Sequence, residues 1–520
     1  MRRLARAAAR LEVAVVVLMM PLFMFPRMGV TPWLMALVPL LWLARWVGTG
    51  RLTVRTGLDG PLVVVALMLP VSAYATYDVG RSFPKLSGVF FGLVLFYAVV
   101  NGVRGERGLR VATGLLLAGG VAVAGLSVVG TDWSASKVPL LSPLSRAVYP
   151  QLPALVRGVP RAETGFHPNQ VGGTLTLFVP LAAALLLHRL RHRRWELGWV
   201  LPTVGLAATL GLTGSVAVLT QSRMTWFGLA VSLGAVGVIW GRWTRVLVVV
   251  AVVGLVALVA VRGVAWVTQP FGLRVTATLG ERITWAGRVE IWRRAVRVIR
   301  DHPLTGIGFD TLFPVIHARY PTFLIRPGYD GTHAHNFFLQ VALDLGLPGL
   351  LAIGWLLGAF GRMGWRVYRR AEQPGCRPAY QALALGLLGG VAAQLVYGLA
   401  DAIALGQKPG VFLWAFLGVG AALWRTALGD AAADEGARES IVERVRGLAT
   451  RLRRAGKHLL TKGYRPVVVG MVVLLVVGGG LRTASRGWRW ASLVRADLAS
   501  LEALASGRSS AAPRPGEVVA

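Results

Sequence analysis

Two histidines, His333 and His335, stand in the polar run Gly331-Thr332-His333-Ala334-His335-Asn336, immediately before an apolar stretch that opens at Phe337. An imidazole titrates near neutral pH and can take or give a proton. Upstream, Arg223 follows Leu219-Thr220-Gln221-Ser222 at the start of another apolar run, and Arg288 sits in Gly287-Arg288-Val289-Glu290-Ile291-Trp292. A guanidinium stays charged and can hold phosphate or carboxylate oxygens in a two-pronged grip. Proton transfer and anion binding are therefore the chemistries within reach. Thiolate metal binding and a disulfide framework are not, because the single cysteine, Cys376, falls in a predicted cytosolic loop.

The elements that must position these residues are membrane-length helices. The 520-residue chain is 55% hydrophobic and only 15% charged, far from the balance of a soluble globular protein. A hydrocarbon core of roughly 30 Å needs about 20 apolar residues per helix. Runs of that kind lie near 11–26, 29–47, 60–77, 86–102, 108–129, 168–187, 197–218, 224–240, 245–266, 337–360, 380–400, 407–428 and 465–481. The fold class is all-α and polytopic, with about 12–13 transmembrane helices. Residues 1–26 have the charge and apolar regions of a signal peptide but no small-residue cleavage site, so they read as the first span.

A net charge of +33 could point to nucleic acid, but its distribution does not. Arg2, Arg3, Arg6 and Arg10 precede the first span, Arg45, Arg51 and Arg55 follow the second, and Arg104, Arg107 and Arg110 follow the fourth. The same parity continues through Arg189, Arg191, Arg193 and Arg194, then Arg242 and Arg245, then Arg362, Arg366, Arg369 and Arg370. This is the positive-inside pattern, which places the N-terminus in the cytosol and accounts for the basic excess without a nucleic-acid partner.

That topology leaves two long segments outside the cytosol, 131–167 and 268–335, with the turn at 219–224 reaching the same side. Within the second, Trp285, Val289, Trp292, Val296 and Ile299 recur at helical spacing and predict an amphipathic helix on the membrane surface or on the bundle. Arg288 lies at the border of that stripe, and Arg293, Arg294, Arg297 and Arg300 on its solvated side. Each polar candidate also has a structural reading. Arg223 alone fits a snorkelling helix-end anchor, and Arg288 alone fits a solvated face. His167, in Phe166-His167-Pro168-Asn169-Gln170, suits either substrate contact or helix capping, and Arg81 and Lys85 beside Asp78 share that ambiguity. Asp344 sits on a predicted membrane helix, where an ionisable group is costly and marks function or a partner on a neighbouring helix. Gly346, Pro348 and Gly349 predict a bend or close packing.

Taken together, Ser222-Arg223 at the outer end of a helix, Gly287-Arg288 with Ile291-Trp292, His302-Pro303-Leu304 with Gly306-Ile307-Gly308, and His335-Asn336 ahead of Gly346 and Gly349 resemble the O-antigen ligase and O-antigen polymerase superfamily. The resemblance covers about residues 219–352. It implies a GT-C-like transferase in the bacterial inner membrane, with a large helical extracytoplasmic loop. Such an enzyme moves a glycan from undecaprenyl pyrophosphate to an acceptor hydroxyl on the periplasmic face.

Under that resemblance the residues acquire roles. The pyrophosphate leaving group must have its developing charge stabilised by a metal or by fixed cations. With no Asp-X-Asp motif and no clustered carboxylates in the outer loops, the expectation is a metal-independent reaction without a cofactor, in which Arg223 and Arg288 hold the phosphates. His335 is the expected general base, kept neutral by the positive end of the helix beginning near Phe337. The reaction should invert the anomeric centre in one displacement. His333, Asn336, His167, Arg81 and Lys85 are expected to contact substrate. His188, His192 and His458 fall on the predicted cytosolic side.

The expected organisation is a catalytic membrane unit over 1–428, a basic cytosolic amphipathic segment over 429–464 suited to anionic lipid, a further span over 465–481, and a partly disordered outer tail over 482–520. The acceptor separates a ligase, which uses the lipid A core, from a polymerase, which uses a second lipid-linked glycan. A protein O-glycosyltransferase is a third possibility within the group. From another class, a lipid-linked oligosaccharide transporter would place ionisable residues near the bilayer midplane in repeated halves, whereas here they gather at the outer surface.

Overall fold

The computed structural model describes residues 2–133, 137–153, 165–192, 197–262, 285–325, 331, 333–371 and 377–429. These form fifteen α-helices and no β-strand; Thr131 pairs with Gly165 and Phe166 as an isolated bridge. In chain order the helices are α1 (Arg2–Met24), α2 (Thr31–Thr49), α3 (Asp59–Ala75), α4 (Val79–Gly102), α5 (Gly105–Gly130), α6 (Ser142–Val148), α7 (Pro168–Arg191) and α8 (Leu197–Leu219). They continue as α9 (Arg223–Trp240), α10 (Arg242–Arg262), α11 (Trp285–Asp301), α12 (Leu312–Arg319), α13 (Phe337–Arg370), α14 (Pro378–Tyr397) and α15 (Val411–Leu428).

Twelve of the expected apolar runs are thus helices. Nine helices among the described residues are long and apolar enough to cross a membrane, and Glu12–Phe23 and Asp59–Ala75 are shorter apolar helices. The expected span at 465–481 and the segments 429–464 (except Gly429) and 482–520 lie outside the described residues, as do His458 and Cys376. Helix α10 has no buried residue, so it needs an apolar solvent around it. Arg45, expected at a flank, is instead buried: its Nη1 donates to Glu12 Oε2 at 2.8 Å, and Asn101 Nδ2 donates to Glu12 Oε1 at 2.9 Å, tying α1, α2 and α4 together.

The centre of the bundle is α14 packed along α7 and α9. Gly390 makes this approach possible, since a Cβ there would lie 2.3 Å from the Leu177 carbonyl oxygen.

Helix α13 bends at Gly346, whose φ of 70° and ψ of −179° are non-helical, as Gly346 and Pro348 predicted. The kink frees backbone groups that must find partners in a dry interior. Leu343 O, which would accept from Leu347, instead accepts from Ile307 N at 2.8 Å, while Leu347 N donates to Pro303 O at 2.7 Å. Pro348 has no N–H for Asp344 O, and Ser72 Oγ supplies that hydrogen at 2.6 Å. The His302-Pro303-Leu304 and Gly306-Ile307-Gly308 segment therefore serves as the backbone complement of the kink. It fixes the segment between α11 and α13 on the bundle.

Helix α11 packs on α13, so the bundle rather than a bilayer surface receives it. Its buried line is Ile291, Ala295 and Val298, while Val296 is 37% exposed. This lies one position away from the stripe that periodicity suggested. The reason is that α11 also meets α12 through Leu312, Phe313 and Ile316, and the second partner turns the buried face towards it. Arg293, Arg297 and Arg300 are exposed as expected, whereas Arg294 pairs with Glu290 at 3.7 Å.

A candidate active site around a buried aspartate

Asp401, in the turn between α14 and α15, is the centre on which the polar candidates converge. Its Oδ2 accepts from Asn169 Nδ2 at 3.0 Å and lies 3.9 Å from Arg288 Nη2. Its Oδ1 accepts from the Ala402 N–H at 2.9 Å and lies 3.3 Å from His335 Nδ1 and 3.9 Å from His333 Nε2. Burial by itself would raise the carboxyl. The hydrogen bond from His335 and the positive fields of His333, His335 and Arg288 outweigh it and hold Asp401 well below the usual carboxylate range. The charge is thus kept at a buried position.

Local structure explains the convergence. Helix α14 ends at Tyr397, and its trailing carbonyls need donors. Gly398 O accepts from Phe337 N at 2.7 Å, Leu399 O from Asn336 Nδ2 at 2.8 Å, and Ala400 O from Arg288 Nη1. Three consecutive carbonyls therefore pin the start of α13 and the arginine of α11 beside Asp401. Asn336 also caps α13, accepting from Leu339 N at 2.9 Å, so both ends of its side chain are used by the fold. His335 has a φ of 51°, a strained backbone for a non-glycine residue at a site where strain is commonly retained. Gln340 holds the loop from behind: its Oε1 accepts from Ala334 N at 2.7 Å while its Nε2 donates to Asp344 Oδ1 at 2.7 Å. Asp344 thereby has a partner within its own helix.

A second arm runs from Asp401 to Arg223. Lys137 Nζ donates to Asn169 Oδ1 at 3.1 Å, and Arg223 Nη2 donates to Lys137 O at 3.1 Å. Gln221, with φ of 48°, fixes this loop by accepting from Lys137 N and Val138 N at 2.6 and 2.8 Å. Arg223 Nε is buried with no hydrogen-bond partner among the described residues, and the charge of Arg288 bears directly on it. A buried, unused donor on a guanidinium that feels a second cation favours a bound anion.

The remaining candidates divide. His333 is almost fully buried; its Nδ1 accepts from the His335 N–H at 3.2 Å, so it props His335 rather than facing open space. His167 Nδ1 caps α7 by accepting from Asn169 N at 3.3 Å, and its charge also reaches His333. Lys85 Nζ pairs with Asp310 Oδ1, and Arg81 Nε donates to Asp310 O at 2.6 Å. Lys85 acts electrostatically on His333, while Arg81 lies one helical turn nearer the start of α4.

Burial, with His335 next, pushes His333 down to about 3. The unfolded chain binds that proton below about 6.5 and the native protein does not, so stability is complete above pH 6.5 and declines as pH falls towards 3. His302, lowered by burial despite Asp301 beside it, adds to the same slope. Purified protein should lose about 2 kcal/mol through His333 between pH 6.5 and 5. Thermal unfolding followed by tryptophan fluorescence should show this slope, and His333→Gln should flatten it; an unchanged slope would contradict the assignment.

Residues 208–354 match the family model described as O-antigen ligase. The match supports a resemblance to the O-antigen ligase and polymerase superfamily over that part of the chain. No curated protein matches it significantly. The family block contains Arg223, Arg288, His333 and His335, whereas Asp401, Asn169, Lys137 and Lys85 lie outside it. Asp401, Lys137 and Gln340 were missed by sequence reasoning, and Asn169 was noticed only as part of a motif. The available signal for Asp401 was an acid among Leu399, Ala400, Ala402 and Ile403 in the short turn between two spans.

The sequence has no clustered carboxylates in its predicted outer loops, but the fold gathers a mixed group of two imidazoles and one carboxylate. His333, His335 and Asp401 each offer one ligand atom, all within 4.8 Å of one another. Such a set could hold a divalent ion. Arg288 beside the same carboxylate opposes a second cation there.

Proposed function

We propose that this chain is a membrane glycosyltransferase of the GT-C type that moves a glycan from undecaprenyl pyrophosphate to an acceptor hydroxyl at the extracytoplasmic face. The observation that carries this reading is the gathering of His335, Arg288 and, through Asn169 and Lys137, Arg223 around Asp401. In the tautomer that donates Nδ1–H to Asp401, His335 presents the Nε2 lone pair to the acceptor hydroxyl. The oxygen attacks the anomeric carbon as the bond to the pyrophosphate breaks, and Arg223 and Arg288 receive the developing charge. One displacement inverts the configuration. The carboxylate of Asp401 stabilises the imidazolium that forms, a role the aspartate of a hydrolytic triad also plays.

The basic flanks support a cytosolic N-terminus, with α13 then beginning at the outer face, and the resemblance supports a bacterial plasma membrane as its place. With the lipid A core as acceptor, the enzyme is a ligase. A second lipid-linked glycan makes it a polymerase, and the lysine-lined cavity described below favours that reading.

Purified protein given undecaprenyl-pyrophosphate glycan, with and without lipid A core, tests the proposal. A single shift of the lipid A core signifies ligation, and a ladder without it signifies polymerisation. No covalent product under either condition would leave transport as the better account. Activity is expected to survive excess chelator because the arginines supply the positive charge. Loss in chelator that magnesium restores would assign the His333–His335–Asp401 group to a metal instead.

A further inference from the structure

A cavity of about 240 Å³ lies beside the catalytic cluster and takes in neither arginine nor either histidine. Phe23 from α1, Phe91 from α4 and Val411 from α15 form its apolar wall, while Lys85, Lys408, Gln170 and Gln407 supply its polar groups. It adjoins the reaction centre through two of these. Lys85 acts electrostatically on His333, and Gln170 follows Asn169, the residue that binds Asp401.

Lys408 is the informative group. No carboxylate lies within ion-pair distance of it among the described residues, and its Nζ instead rests 3.8 Å from the ring centre of Phe25. Phe25 is 68% exposed at the end of an apolar helix, a position suited to the boundary of a bilayer. A cation held over an aromatic ring beside an apolar cavity complements an anion carried on an apolar chain. The volume lies below the roughly 300–1,000 Å³ of a drug-sized site. It suits one phosphate and the first units of a single narrow chain, not the several acyl chains of a lipid A.

We propose that this cavity holds the phosphate end of a polyprenyl carrier bearing the acceptor glycan, with Lys408 as its principal phosphate contact. The proposal rests on the transferase reading for the acceptor role. It adds a second carrier site, separate from the arginine pair, and assigns the acceptor to the lipid-linked class.

The test uses the full chain in nanodiscs and an undecaprenyl phosphate analogue with a photoreactive group on its first isoprene unit. Label is expected on residues 23–26 or 406–411. It should fall about tenfold in Lys408→Gln, as loss of one charged hydrogen bond predicts, and persist in Lys408→Arg. Unlabelled undecaprenyl phosphate should displace it, whereas equal concentrations of inorganic phosphate or lipid A should not. In turnover, Lys408→Gln should raise KM for a lipid-linked acceptor about tenfold and leave kcat unchanged. Absence of label from both segments, indifference to Lys408→Gln, equal displacement by phosphate or lipid A, or an unchanged acceptor KM would each overturn the proposal. If labelling follows expectation but no glycan moves, the transferase reading fails while a carrier site remains. If glycan moves without this labelling, the reverse holds.

Discussion

Asp401→Asn is expected to lower glycan transfer by about 10²–10⁴-fold in a protein that still folds. The carboxylate receives hydrogens from Asn169 Nδ2, the Ala402 N–H and His335 Nδ1. An amide of the same shape keeps one acceptor oxygen but turns an NH₂ group towards one of these donors. It also removes the negative charge facing Arg288 and, in the proposed mechanism, the imidazolium of His335. His335→Ala should reduce transfer by a similar factor, because it removes the proposed proton acceptor. The two residues act as one unit, so the double variant should be scarcely slower than either single one. Single-turnover transfer with a fixed donor, alongside thermal unfolding of each variant, measures this. Full activity in His335→Ala, or effects of the two substitutions that multiply, would remove the pair from the chemistry.

Arg288→Ala should cost about 10²–10³-fold in kcat/KM, the scale observed when one fixed stabiliser of developing charge is lost. Arg288→Lys should recover little. The arginine reaches the Ala400 carbonyl with Nη1 while its Nη2 lies near Asp401, leaving the planar group oriented for an anion, and an ammonium cannot reproduce that fork. Arg297 on the same helix provides the control: it is exposed, and Arg297→Ala should stay within about twofold. Equal losses for the two arginines would mean that the helix contributes a general basic surface rather than a fixed phosphate contact.

Much of this architecture was legible in the residues themselves. Membrane-length apolar runs give twelve helices close to their expected positions because the hydrocarbon thickness sets how many apolar residues a helix needs. The bend at Gly346 was visible from Gly346 and Pro348, since one permits positive φ and the other removes a donor. The candidate residues Arg223, Arg288 and His335 were visible through a resemblance, and the structure brings them to one polar network. The orientation of α11 was read one position out, because its second packing partner, α12, leaves no trace in the periodicity of α11.

Local pattern thus determined the membrane helices, the kink and the type of chemistry on offer. Tertiary structure alone decided that Asp401 organises the site, that Ser72 satisfies the kink and that Lys85 and Lys408 share a cavity. The partners in those contacts are separated by 66 residues for His335 and Asp401, 232 for Asn169 and Asp401, and 272 for Ser72 and Asp344. Helical periodicity extends over a few turns of one segment. Which carbonyl or carboxylate a distant donor meets is set by how the helices pack, and packing is a property of the whole bundle.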